Sequence, residues 1–211
     1  MSERDDRDGS SLVGQAGPPE LVAEATSACL DYVQRATGVM LDFRPETLSV
    51  LDHYAATVRN ELAQRPELGP LVARAMGAYF GEVIRARFSG FWRVPTANLH
   101  DWQLCWRVVF LWINPIGVGF DALYGGEDHD GPRSHLRTAP EDRDFLKQRL
   151  EVIPPVPEDE YYLFTTRFDV IEACVEALAA RLEQSGYGGT EFGEEDYAEA
   201  LADIPAPRDL H

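Results

Sequence analysis

Lysine is all but missing from the 211-residue chain: Lys147 stands alone beside 18 arginines, and the 19 bases face 36 acids, for a formal net charge of −17. That imbalance excludes a general electrostatic grip on phosphate backbones or anionic lipid, so neither nucleic acid nor a membrane is expected as a partner. No apolar run approaches the ~18 residues of a membrane-spanning helix. The opening MSERDDRDGSS lacks the apolar centre of a secretory signal, which places the chain in the cytoplasm as an expectation. Cysteine is scarce too. Cys29, Cys105 and Cys174 are odd in number, far apart and set among apolar neighbours, which argues against a disulfide framework or a paired metal or redox motif. Such thiols read as small buried hydrophobes with a raised pKa. The near-absence of lysine also points, through codon usage, to a GC-rich bacterial source. Catalytic signatures are missing as well: no GxGxxG, P-loop or GxSxG occurs, and YGGED and GYGGTEF lack both the spacing and the lysine of a phosphate loop.

What is present is a composition that folds. With 45% hydrophobic and 26% charged residues the chain has the balance of one globular domain, placed at residues 19–204 between a flexible tail at 1–18 and a frayed end at 205–211. Charge is uneven along it: residues 71–120 hold 2 acids and 5 bases, whereas residues 121–211 hold 22 and 8. The apolar, slightly basic middle should be core, and the last third should show solvent an acidic face.

Helical periodicity dominates the first 90 residues. Pro19 opens a helix that stops near Gly38, Val39–Phe43 reads as a short extended piece and a possible edge strand, and Pro45 opens a second helix carrying Leu48, Leu51, Ala55, Val58 and Leu62 on one stripe. Leu68–Phe88 is apolar around most of its circumference and should be central. Its Gly77 and Gly81 each cost about 1 kcal/mol of helix propensity, and their use would be to let another element approach the backbone closely. From Phe91 the period becomes 2. Phe91–Val94 is a short strand, and Trp102, Leu104, Trp106, Val108, Phe110 and Trp112 occupy alternate positions of a long one, with three indoles on one face. A bulge or tight turn near Arg107 or Val108 is the alternative. Asn114 and Pro115 begin a short helix. A mobile polar loop follows at 125–137, then a helix opened by a Thr138/Glu141 capping box. Tyr161–Phe164 could form a strand, Thr166 and Asp169 should cap a long helix, and a short, loosely docked acidic helix carries Phe192, Tyr197 and Leu201. The fold class is α+β: several helices packed on a small, mainly antiparallel β-sheet.

Candidate site residues are few. Glu82 lies in apolar surroundings, so it must be protonated or paired: either a general acid or base with an upward-shifted pKa, or an ion pair with Arg85, Arg74 or Arg93 or an acceptor for a backbone or indole N–H. Asp128, His129 and Asp130, with Glu127 and His135 nearby, are metal-binding residue types, yet their spacing fits neither an EF-hand nor a zinc site, and a solvated acidic loop is the plainer reading. Neither a metal nor another cofactor is expected. His100 and Asp101 are adjacent without a nucleophile motif, and His53 lies off the apolar stripe of its helix. The indoles either fill the core or, around Trp92, Trp102 and Trp106 flanked by Arg93 and Arg107, form a docking patch for a protein or peptide.

The run GAYFGEVIRARFSGFWRV, followed by INPIGVGFDAL and then IPPVPEDEYYLFTTRFDVIE, resembles a pattern of uncharacterised bacterial proteins of the domain-of-unknown-function type, over residues 40–184. The resemblance implies a compact α+β domain in which a helix carries Gly81 and Glu82, a strand carries Trp92, and an Asn-Pro pair such as Asn114–Pro115 ends a strand. It implies no activity. From the residues themselves the first expectation is a non-enzymatic binding protein of the inhibitor or immunity type, with a basic protein such as a nuclease toxin as partner. The alternatives are a hydrolase or transferase using Glu82 near Asn114, and a small-ligand sensor with a Trp-lined pocket.

Overall fold

The computed structural model describes residues 17–152 and 154–202, so most of the 1–18 tail and all of the 205–211 end lie outside the described residues. Helix α1 (Glu20–Thr37) buries Val22, Ala25, Cys29 and Val33 and stops at Gly38, which adopts φ 75° and returns its N–H to the Gln34 carbonyl. The next residues pair with no strand. Phe43 takes φ 64°, donates its N–H to the Tyr79 hydroxyl at 3.0 Å and stacks on that ring at 5.2 Å, so the segment is pinned to a helix instead of a sheet edge. Short 3₁₀ turns at Pro45–Thr47 and Pro66–Leu68 lead into α2 (Leu48–Glu61) and α3 (Gly69–Phe88).

Helix α3 is the axis of the core, with Met76, Tyr79, Phe80, Val83 and Ile84 all without exposure. Its glycines serve close approach. A Cβ on Gly77 would sit 2.5 Å from the Pro115 carbonyl oxygen and 2.6 Å from the Ile116 Cα, so α4 (Pro115–Tyr124) lies backbone against backbone on α3. Asn114 caps α4, accepting from Ile116 N–H at 3.0 Å and Gly117 N–H at 3.3 Å. Residues Pro115 to Leu123 are buried throughout.

Four antiparallel strands lie in chain order: β1 (Gly90–Arg93), β2 (Gln103–Trp106), β3 (Leu111–Ile113) and β4 (Arg137–Thr138). The expected Trp102–Ile113 strand is therefore two strands joined by a turn at 107–110, the alternative reading of that stretch. The turn breaks the alternation. Register pairs Trp92 with Leu104 and Leu104 with Ile113 on one face, and Phe91 with Cys105 and Cys105 with Trp112 on the other. Trp102 and Trp106 thus belong to the main core, whereas Trp112 packs on the far side with Phe91, Cys105 and Tyr197.

Helices α5 (Pro140–Glu151), α6 (Glu158–Tyr161), α7 (Phe164–Gln184) and α8 (Glu194–Ala202) complete the order. Tyr161 ends a single helical turn and Phe164 already belongs to α7, so no strand forms there. Neither expected capping box forms. Thr138 sits in β4 with its hydroxyl on the Phe110 carbonyl at 2.8 Å, leaving Ala139 as the N-cap residue of α5. The first N–H groups of α7 are met from α2 instead. Asp52 accepts from Phe164 N–H at 2.6 Å, Thr165 N–H at 3.3 Å and the Thr165 hydroxyl at 2.8 Å. Burial raises this carboxyl above its ordinary 3.8, with the Thr165 hydroxyl and the two N–H groups pulling the other way. The architecture is α+β, with the helical core on the inner face of a small antiparallel sheet and α8 on its outer face. Among the described residues no helix is long and apolar enough to cross a membrane.

Candidate functional site

Glu82 points from α3 toward β1. It is 7% exposed, and its two oxygens take a bidentate fork from Arg85, Nε and Nη2 each at 2.9 Å. Oε1 also accepts the Trp92 indole N–H at 2.7 Å. Three charge-assisted bonds occupy three of the roughly four lone-pair sites of the carboxylate, two on Oε1 and one on Oε2. Asn114, its supposed helper, gives its own Nδ2 to the Leu99 carbonyl at 2.8 Å.

The indoles do not form a docking surface. Trp102 and Trp106 have no exposure and Trp92 is 7% exposed, because β1, β2 and the residue just ahead of β2 place these indoles in the main core. The Trp102 N–H donates to the Thr96 carbonyl at 3.1 Å, its ring meets Trp92 edge-on at 6.4 Å, and Arg74 lies 5.3 Å from its centroid. Of the flanking cations, half-buried Arg93 donates to Gln103 at 3.0 Å, and exposed Arg107 covers the Phe91 ring at 4.7 Å. His100 and Asp101 stay apart chemically. Asp101 takes the Thr96 hydroxyl at 2.7 Å, while His100 is exposed. His53 is one of the residues that line a pocket between α1 and α2.

The 125–137 loop is not a solvated acidic loop throughout. Asp128 and Asp130 are exposed, but the His129 side chain is only 2% exposed and reaches down to Asp121 of α4. Its Nδ1 accepts the Gly131 N–H at 3.1 Å, which leaves the proton on Nε2, 2.8 Å from Asp121 Oδ1. The other Asp121 oxygen accepts from the Ser134 hydroxyl and from Arg167 Nη2 at 3.1 Å, and the same Nη2 lies 3.0 Å from Ser134 Oγ. Arg167 in turn stacks over Tyr161 at 4.6 Å. Close approach makes this possible: a Cβ on Gly117 would lie 2.6 Å from the Arg133 carbonyl carbon, so the loop rests directly on α4. Ser, His and Asp meet here without forming a catalytic triad. The serine proton goes to the carboxylate instead of the imidazole, and Asp121 at 1% and Ser134 at 6% exposure leave a substrate no approach. Among the described residues no group of three His, Cys, Asp or Glu side chains could hold a metal ion.

The three thiols are buried as well. Burial pushes the Cys29 thiol far up, Cys105 to about 12 and Cys174 to about 11. We expect a disulfide exchange reagent at pH ~8 to label none of them in the folded protein and all three after unfolding, since the thiolate is the reactive form. A thiol that reacts rapidly in the native state would contradict this. The same shifts predict alkaline destabilisation. The contribution of the neutral thiols is complete below the ordinary value of 9.0 and fades as pH rises through 11 and 12.

Two surface features remain. The first is α8, seated on the outer sheet face by Tyr197, which has no exposure. Its hydroxyl accepts Leu111 N–H at 3.1 Å, gives its proton to the Trp106 carbonyl at 2.7 Å, and lies 3.0 Å from the Val109 and Leu111 carbonyls. The Phe192 N–H adds a 2.8 Å bond to the Arg107 carbonyl. Outward from this seat Glu191, Glu194, Glu195, Asp196 and Glu199 are exposed, and residues 182–202 contain no Lys, Arg or His. The second is a groove of about 700 Å³ between the β4 edge, α5 and α7. Trp112, Leu136, Leu146, Leu150 and Cys174 line it with apolar surface, and Arg137, Arg143, Lys147 and Glu151 bring charge to it. Sequence reasoning missed Asp121, Arg167 and this groove. A lone acid inside the apolar run INPIGVGFDAL was a usable signal for the first; nothing local marked the other two.

No protein-family model, curated protein or solved structure matches the chain.

Proposed function

We propose that the chain is a non-enzymatic cytoplasmic binding protein of the inhibitor or immunity type, which offers an acidic face to a basic protein partner. The observation that carries this reading is the seating of α8. A helix whose exposed side chains are largely carboxylates is fixed to the sheet by one buried hydroxyl, and the segment leading into it by a backbone bond from Phe192 to Arg107, so its charges are held in place. Fixed, uncompensated charge speeds and orients encounter with an oppositely charged surface. Support also comes from the acid–base and nucleophilic groups, Glu82, Asp121, His129, Ser134 and the thiols, which are buried and mostly committed to internal partners.

The test compares the wild-type chain with a variant carrying Glu191→Gln, Glu194→Gln, Glu195→Gln and Glu199→Gln. Asp196 is left intact because it accepts the Gly193 N–H at 2.7 Å and holds the start of the helix. A cationic protein retained by the wild type and released by the variant is expected. Its association rate should fall at least about tenfold between ~0.05 M and ~0.5 M salt, as the screening length shrinks. Equal retention by both chains, or an association rate indifferent to salt, refutes the proposal.

A further inference from the structure

We infer that the groove between the β4 edge, α5 and α7 binds a single-chain amphipathic carboxylate, with its apolar tail along Trp112, Leu146 and Leu150 and its head between Arg137, Arg143 and Lys147. Charge runs against the rest of the molecule here. In a chain of net charge −17 and one lysine, that lysine and two arginines meet at one cavity. All three are exposed, and among the described residues none forms an ion pair.

The placement on α5 sharpens the point. Arg143 and Lys147 are four residues apart on one helix, so two like charges stand side by side, an arrangement that costs a helix a few tenths of a kcal/mol. Glu151, one turn further, can offset Lys147 only. Arg143 and Arg137 line the cavity and, among the described residues, form no ion pair, and an anion there would relieve the repulsion while receiving the planar fork that suits a carboxylate. The floor is the wrong surface for a free inorganic ion. Trp112, Leu136, Leu146 and Leu150 give it an apolar lining, and a volume of about 700 Å³ falls within the range of sites that enclose small organic ligands. The overall negative charge disfavours a polyanion and tolerates a ligand of one charge. Apolar floor, cationic rim and anionic surroundings together select a monoanion with a hydrocarbon tail.

Decanoate below its micellar concentration is the probe, titrated by calorimetry and by tryptophan fluorescence, since Trp112 is the one indole lining the groove. Saturable binding of one decanoate per chain with a fluorescence change is expected. An Arg143→Ala/Lys147→Ala double variant, both positions exposed on α5, should melt like the wild type and bind at least about tenfold more weakly. Decanol and butyrate should each bind far more weakly than decanoate. Decanol binding as well as decanoate, butyrate binding equally, no saturation, or an unchanged affinity in the double variant would each overturn the inference. So would a concentration-dependent dimer from which decanoate is excluded, because a second copy of the chain would then be the occupant.

Discussion

Replacing Asp121 by asparagine is expected to cost about 3–5 kcal/mol, the usual penalty for removing one partner of a buried ion pair. For a chain of this size that lowers the melting temperature by roughly 10 °C. The substitution keeps volume and changes charge. It leaves the Arg167 guanidinium, 14% exposed, without its carboxylate, and turns an acceptor shared by Ser134, His129 and Arg167 into an amide with one oxygen. Loss should begin locally. The 125–137 loop is tied to α4 through this residue, so proteolysis and amide exchange there should rise before the core opens. The second variant separates charge from shape: Asp121→Asn combined with Arg167→Gln removes both charges and should recover part of the loss, a coupling readable in a double-mutant cycle. A single Asp121→Asn chain as stable as the wild type would show that the pair is incidental.

How far the sequence announced this fold depends on where each element's polar groups are satisfied. Helices α1, α2 and α3 carry their own signals: apolar spacing, prolines at their entries and a glycine at the first exit. Gly77 and Gly81 were readable as contact points because a glycine inside a helix otherwise only costs stability. The turn at 107–110 was legible only as an alternative, argued from the excessive length of the strand and not from turn residues. Arg-Val-Val-Phe contains no Gly, Pro, Asn or Asp, and the alternation Trp106, Val108, Phe110, Trp112 runs straight through it. What stabilises that turn is the Tyr197 hydroxyl, which serves Trp106, Val109 and Leu111 from 86 to 91 residues away. The start of α7 was misplaced for the same reason, since its cap is Asp52, 112 residues earlier. The network around Asp121 is intermediate. A lone acid in an apolar helix drew attention at Glu82 and carried the same signal at Asp121, but its three partners come from a loop and from α7, which no local pattern connects. The groove joins β4, α5 and α7, and its cations look in sequence like ordinary surface charge.

Tyr197 supplies the sharpest contrast between a helix resting on the surface and one built into it. A loosely docked α8, the expectation from sequence, would make Tyr197→Phe almost neutral. The structure predicts a loss of about 2–3 kcal/mol, because deleting one oxygen strands the buried Leu111 N–H and the Trp106 carbonyl at the two ends of the same turn. Tyr197→Ala adds the loss of a ring that stacks on Phe110 at 4.6 Å and meets Phe91 and Trp112 edge-on at 5.7 and 6.1 Å, for a total of about 3–5 kcal/mol. Thermal melts should rank wild type above Tyr197→Phe above Tyr197→Ala, with faster amide exchange at Leu111 in both variants. A Tyr197→Phe chain within about 0.5 kcal/mol of wild type would restore the loosely docked picture. The alanine variant also links stability to binding. With α8 released, the carboxylates it carries keep their number and lose their fixed arrangement, so association with a basic partner should keep some salt dependence but slow and lose orientation. Charge alone would leave the association rate unchanged in that variant, and the seat provided by Tyr197 is what separates the two outcomes.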